Sequence, residues 1–179
     1  MKKFNTLLFY GLLSGAVFSG TMLSGTMMIC SAQQESLSPD LKAAALKDAA
    51  CANSAGTKES DPELAELPIH AGGREAGTIV AVKGPCHCQA GNCDVLVYLR
   101  NGQGYRLSVH EKYASLHPMK IVKLGMPSLT GQFEINQQKM ETTVYDWDGK
   151  DYRPSLCATV TKGKRVPTIA QHPCKPPSL

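Results

Sequence analysis

From Gly77 to Val82 the chain alternates with a period of two, with Thr78, Val80 and Val82 on one face and Gly77, Ile79 and Ala81 on the other. That period in β-branched residues predicts a mostly buried strand. In the next segment Val95, Val97 and Leu99 share one face, with Leu96 and Tyr98 on the other. Arg100-Asn101-Gly102-Gln103 then predicts a hairpin turn, because Asn-Gly accepts the positive φ angles of type I′. The returning strand is expected to turn Tyr105, Leu107 and Val109 inward and Arg106, Ser108 and His110 outward. Further strands are predicted in Met119–Leu124, Gly131–Ile135 and Glu141–Trp147. In the last of these Thr143, Tyr145 and Trp147 line one face, which predicts a buried tryptophan. Asp148-Gly149 turns the chain back into Asp151-Tyr152-Arg153. Short strands with closely spaced turn signals predict a mainly β fold, an antiparallel meander forming a small sandwich or barrel.

Upstream of these strands the pattern changes. Ser38-Pro39-Asp40 is a helix start, with Ser as N-cap and Pro at the first helical position. One short N-terminal helix is predicted over Leu41 to Ala52. Its apolar face (Leu41, Ala45, Ala49, Ala52) is thin, so little core is expected from it. Asn53 to Pro68, rich in Ser, Gly, Asp and Glu, reads as a solvated linker.

The first 32 residues read as an export signal. Lys2 and Lys3 are followed by no charge until Glu35, an apolar run lies between them, and Cys30-Ser31-Ala32 resembles an A-x-A cleavage site. Two other readings stay open: lipidation of Cys30, against which Ile29 stands, and an uncleaved anchor, against which the Gly and Ser content stands. The chain therefore divides into a signal peptide (1–32), a helical segment with linker (33–68) and a β domain (69–179). After cleavage no stable membrane span is expected, and a periplasmic or secreted location follows.

Removal of Cys30 leaves six of the seven cysteines, an even number that in an oxidising compartment reads as disulfides. Spacing ranks the pairings without fixing them. Cys88 and Cys93 are separated by four turn-forming residues and can bridge locally, whereas Cys157 and Cys174 bracket the C-terminal segment. Cys51 is then left for Cys86. A rival chemistry attaches to the same loop: Cys86, His87, Cys88 and Cys93 make a soft-metal donor set. Their C-x-C-x4-C spacing, however, is not that of a zinc ribbon, and no cofactor is expected.

Other candidate motifs fall short. His110-Glu111 begins a zincin signature, but residue 114 is Ala; no G-x-S-x-G occurs. Asp146, Asp148 and Asp151 lack the Glu that an EF-hand places twelfth. No catalytic residue is assigned. The length suits one domain, and the formal charge of +4 calls for no nucleic-acid partner. Lys162, Lys164 and Arg165 have no interleaved aromatics and read as a soluble face. Charge is nonetheless uneven, since residues 67–179 hold fourteen basic and eight acidic side chains.

Gly91-Asn92-Cys93 at a strand start, Gly104-Tyr105-Arg106-Leu107, and Tyr145-Asp146-Trp147-Asp148-Gly149-Lys150-Asp151-Tyr152 followed by Cys157 and Pro173-Cys174 make a loose pattern. It resembles a group of secreted bacterial β-rich proteins over residues 77–174. The resemblance implies one β domain and carries no activity with it. The expected function is an exported, non-catalytic binding or interaction domain of the bacterial envelope with an envelope or extracellular partner. One version, an inhibitor of a hydrolase, resembles bacterial lysozyme inhibitors in size, location and fold class. The other reading is an envelope metal-binding protein using the Cys86–Cys93 loop.

Overall fold

The computed structural model describes residues 37–51, 61–163 and 166–174. The signal segment, most of the linker, Lys164-Arg165 and the tail from Lys175 lie outside the described residues. Helix α1 (Pro39–Asp48) precedes two five-stranded antiparallel sheets. The first contains β1 (Glu63–Ala71), β2 (Arg74–Lys83), the two-residue β3 (Cys88–Gln89), β4 (Asn92–Asn101) and β5 (Gly104–Tyr113). In it β2 pairs with β1 and β4, and β4 also pairs with β3 and β5. The second contains β6 (Ser115–Lys123), β7 (Met126–Asn136), β8 (Lys139–Trp147), β9 (Tyr152–Thr161) and β10 (Thr168–His172), paired in sequence order. The predicted antiparallel meander is thus a two-sheet sandwich with open edges.

The main core lies between the sheets. Ile79, Val95, Val97 and Val109 from the first sheet meet Leu116, Leu129, Tyr145 and Tyr152 from the second. Tyr113 reaches across from β5 so that its ring lies against Gly131 of β7, and its hydroxyl hydrogen-bonds that of Tyr145 at 2.6 Å. At one end of the sandwich Asn92 joins the two sheets. Its side-chain amide donates to the Glu134 carbonyl at 2.9 Å and accepts from the Glu134 N–H at 2.7 Å.

A second core corrects the expectation about the helix. Leu41, Ala45 and Ala49 are almost wholly buried against Val80, Val82, Leu96 and Tyr98 on the outer face of the first sheet. Three residues at i, i+4 and i+8 suffice because two are alanines, which let the helix lie close to the sheet. Ser38 Oγ caps its start by accepting from Leu41 N–H. Near its other end Asp48 accepts a 2.9 Å hydrogen bond from Tyr98 Oη. The sheet is covered on both faces, which is why β2 and β4 read as nearly continuous apolar runs.

Register supplies a second correction. Asn101 pairs with Gly104, so the loop residues are Gly102, at φ 61°, and Gln103. The turn is displaced by one residue from the expected Asn101-Gly102. Cross-strand partners share a face: Tyr105 lies opposite Arg100, Arg106 opposite Leu99 and Leu107 opposite Tyr98, so Tyr105 and Leu107 pack on the helix side and Arg106 faces the sandwich side, the reverse of the expectation. A bulge restores the phase: Val97 pairs with Val109 while Tyr98 pairs with Leu107, leaving Ser108 as the extra residue.

The segment expected as linker already contains most of β1, an edge strand whose Pro68 is tolerated because only one side of it is paired. Trp147, expected to be substantially buried, is partly buried at the strand end, packed against the main core and edge-to-face with Tyr152 at 5.5 Å between ring centroids.

Candidate functional site

The loop between β2 and β4 holds the residues that sequence singled out. Two amides, those of His87 and Cys88, bond to the Gly84 carbonyl and close a turn. Strand β3 follows, and a tight turn through Ala90 (φ 49°) and Gly91 (φ 84°) leads into β4. Cys88 and Cys93 thus face each other in a paired register, with Cα atoms 3.9 Å apart, and form one disulfide. Cys51, just beyond α1, pairs with Cys86, and Cys157 pairs with Cys174. The three bridges fit residence in an oxidising compartment. Among the described residues no helix is long and apolar enough to cross a membrane.

His87 is where the sequence reading falls short. Spacing marks it only as a possible donor in a stapled loop, whereas its side chain is buried, with 5% exposure. Its Nδ1 lies 3.1 Å from Asp94 Oδ2. The second Asp94 oxygen accepts a 2.8 Å hydrogen bond from Lys112 Nζ, which also donates to the His87 carbonyl at 2.8 Å. His110, expected on the solvated face, stands half-buried with Nε2 3.7 Å from Asp94 Oδ1. Both His87 ring nitrogens lie 3.7 Å from Cys51 Sγ. The ligand-type atoms of Cys51, Cys86 and His87 lie within 4.8 Å of one another. The donor set expected from sequence is thereby divided: Cys86 and His87 meet Cys51, whereas Cys88 and Cys93 are engaged with each other. Asp94 and Lys112 were not singled out beforehand. An aspartate at the head of the apolar run of β4 is the available signal, since a buried carboxylate needs partners.

The Asp146, Asp148 and Asp151 carboxylates are each held by protein partners. Lys123 and then Ser128 hold the Asp146 carboxyl below its ordinary range by hydrogen bonding. The backbone N–H groups of Asp151 and Lys150 do the same for Asp148. Asp151 pairs with Arg106 and Ser108 of the opposite sheet. Of the remaining histidines, His70 and His117 are exposed, and exposed His172 lies 3.4 Å from Thr159 Oγ1.

Opposite the Cys86–Cys93 loop, the β1–β2, β4–β5, β6–β7 and β8–β9 turns share one end of the sandwich. The β6–β7 tip is unlike the others. A register shift between Pro118 and Val122 bulges β6, and the loop is Leu124-Gly125. Leu124 adopts φ 49° and is 73% exposed; neighbouring Ile121 and Val122 are 56% and 62% exposed. Leucine is a poor residue for that backbone region, which costs a non-glycine residue about 1–2 kcal/mol. Lys120 and Lys123 flank the apolar group, Lys123 reaching Asp146. Alternation alone extends a strand through Leu124, whereas β6 ends at Lys123 and Leu124 forms the turn. No protein-family model, curated protein or solved structure matches the chain.

Proposed function

We propose that the protein is an exported interaction domain that inserts the β6–β7 hairpin tip into the acidic cleft of an extracytoplasmic hydrolase and so inhibits it. The observation that carries this reading is Leu124, a large apolar side chain both exposed and held at positive φ. Strained residues cluster at functional sites, and a solvent-facing leucine at a turn tip gains nothing for the fold itself. A rigid sandwich presenting a short apolar tip loses little entropy when it binds. The charge supports the same partner class. The β domain is basic, two lysines flank the tip, and glycoside hydrolases carry paired carboxylates in their clefts. The periplasm or the extracellular space is the proposed location, and the protein itself performs no catalysis.

The test is inhibition of peptidoglycan-cleaving glycoside hydrolases by the wild type and by Leu124→Asn. Asparagine tolerates the backbone of this position, so the variant should be more stable by about 1 kcal/mol. It should also inhibit at least roughly tenfold more weakly, a loss of about 1.4 kcal/mol. Equal inhibition by both proteins, or none by the wild type against any such hydrolase, rejects the reading.

A further inference from the structure

We propose that Cys51, Cys86 and His87 form a binding site for a soft d10 metal ion, Zn²⁺ or Cu⁺, that exists only when the Cys51–Cys86 bridge is reduced. The site is independent of the hairpin tip, since it lies at the other end of the sandwich. Its donor groups already lie together, with Cys51 Sγ 3.7 Å from both His87 ring nitrogens and all three groups within 4.8 Å, and opening the bridge frees the two sulfurs to turn toward Nε2. Two thiolates and one imidazole suit ions of this softness.

The second observation is the arrangement behind His87. Asp94 takes the Nδ1 side of the ring at 3.1 Å, which assigns the ring proton to Nδ1 and leaves the Nε2 lone pair for a metal. A carboxylate behind a histidine is the usual support of a metal-bound imidazole. Lys112 anchors that carboxylate through its other oxygen at 2.8 Å. Burial of His87 keeps the ring in place, whereas Cys86 is exposed, so the site can be reached from solvent. A disulfide-bonded structural pair has no need of a carboxylate-oriented imidazole beside it.

The two states exclude each other, because the sulfurs are either bonded to one another or free to bind metal. A dithiol reductant opens the bridge by thiol–disulfide exchange and itself closes to a cyclic disulfide. Two electrons and two protons thereby reach the pair as two thiols. Metal binding then displaces both thiol protons into solvent, giving two thiolate ligands. Three protein donors leave a fourth coordination position open, as in catalytic rather than structural zinc sites.

The experiment uses the full exported protein, reduced with a phosphine and freed of it without oxygen. Cobalt(II) serves as the spectroscopic probe and zinc as its competitor. The reduced wild type and reduced Cys88→Ala/Cys93→Ala should each bind one equivalent of cobalt with thiolate charge-transfer absorption. Oxidised wild type and reduced Cys51→Ala/Cys86→Ala should show none of that absorption. Asp94→Asn should weaken binding roughly tenfold or more, the usual size of support-residue effects, and His87→Ala, which removes a ligand, should weaken it further. Metal should also raise the unfolding midpoint of the reduced wild type, a readout that holds even where reduction loosens the chain. No binding by the reduced wild type overturns the proposal. Binding that survives in Cys51→Ala/Cys86→Ala and disappears in Cys88→Ala/Cys93→Ala overturns it too, and moves the site to the other pair.

Discussion

Gly131→Ala is expected to destabilise the sandwich even though alanine is ordinarily the better strand residue. Inside a strand the exchange should gain about 0.5–1 kcal/mol through backbone entropy alone. Here the new methyl carbon would stand 2.7 to 2.9 Å from three ring carbons of Tyr113, well inside the 3.4 Å of ordinary contact. The ring must retreat by about 0.7 Å, and it is held on its far side by the buried partners of the main core. Overpacking of this kind costs about 1–3 kcal/mol. The retreat also breaks the 2.6 Å hydrogen bond between the Tyr113 and Tyr145 hydroxyls, worth about 0.5–1.5 kcal/mol net. The expected loss therefore lies between about 0.5 and 4 kcal/mol, centred on about 2 kcal/mol, after the entropic gain is subtracted. Urea unfolding with the disulfides intact measures it as a lower midpoint at unchanged slope. The decisive measurement is a double-mutant cycle with Tyr113→Leu, which removes the ring that the methyl would strike. In that background Gly131→Ala should cost little or stabilise, giving a coupling energy of about 2 kcal/mol. A loss below about 0.5 kcal/mol in the wild-type background, or a cost unaltered by Tyr113→Leu, would refute the reasoning.

Three other outcomes follow from the same structure. Burial raises the hydroxyl pKa of Tyr98, Tyr145 and Tyr152 far above the ordinary value, and raises that of Tyr113 as well. Because the unfolded chain loses these protons first, stability should be full below about pH 10 and fall as the pH rises beyond it. Phenolate absorbance should then appear together with loss of the far-ultraviolet sheet signal; smooth ionisation of all tyrosines in a still-folded protein would contradict this. Cys88→Ser, Cys93→Ser and the double variant open the same small ring, so the three should lower the urea midpoint to a similar extent. A double variant costing the sum of the singles would show that each thiol has a separate role. Trp147→Ala removes a half-buried ring stacked edge-to-face on Tyr152 and should cost about 2 kcal/mol, less than the 3–5 kcal/mol of a fully buried aromatic. An unchanged midpoint would place the ring outside the core.

What the sequence determined by itself is local. Period-two alternation in Gly77–Val82 and Val95–Leu99, the turn residues at Gly102 and Gly149, and the Ser38-Pro39 helix start are written in neighbouring residues. Steric and hydrogen-bonding preferences act at that range. Cysteine spacing belongs with them, since Cys88 and Cys93 meet across a turn that their own four intervening residues form. The tertiary structure decided whatever depends on which surfaces meet. A helix face of Leu41, Ala45 and Ala49 looked too thin for core until a sheet face of Val80, Val82, Leu96 and Tyr98 lay beneath it. The faces of Tyr105 and Leu107 follow from their pairing with Arg100 and Tyr98, and the bulge at Ser108 returns Val109 to the main core; local preference does not announce that bulge. Asp94 and Lys112 act on His87 only because β4 and β5 are paired in that register, and Cys51 reaches His87 across thirty-six positions. Leu124 gave no local sign of being a tip. Its exposure and its positive φ appear only once β6 and β7 have paired on either side of it.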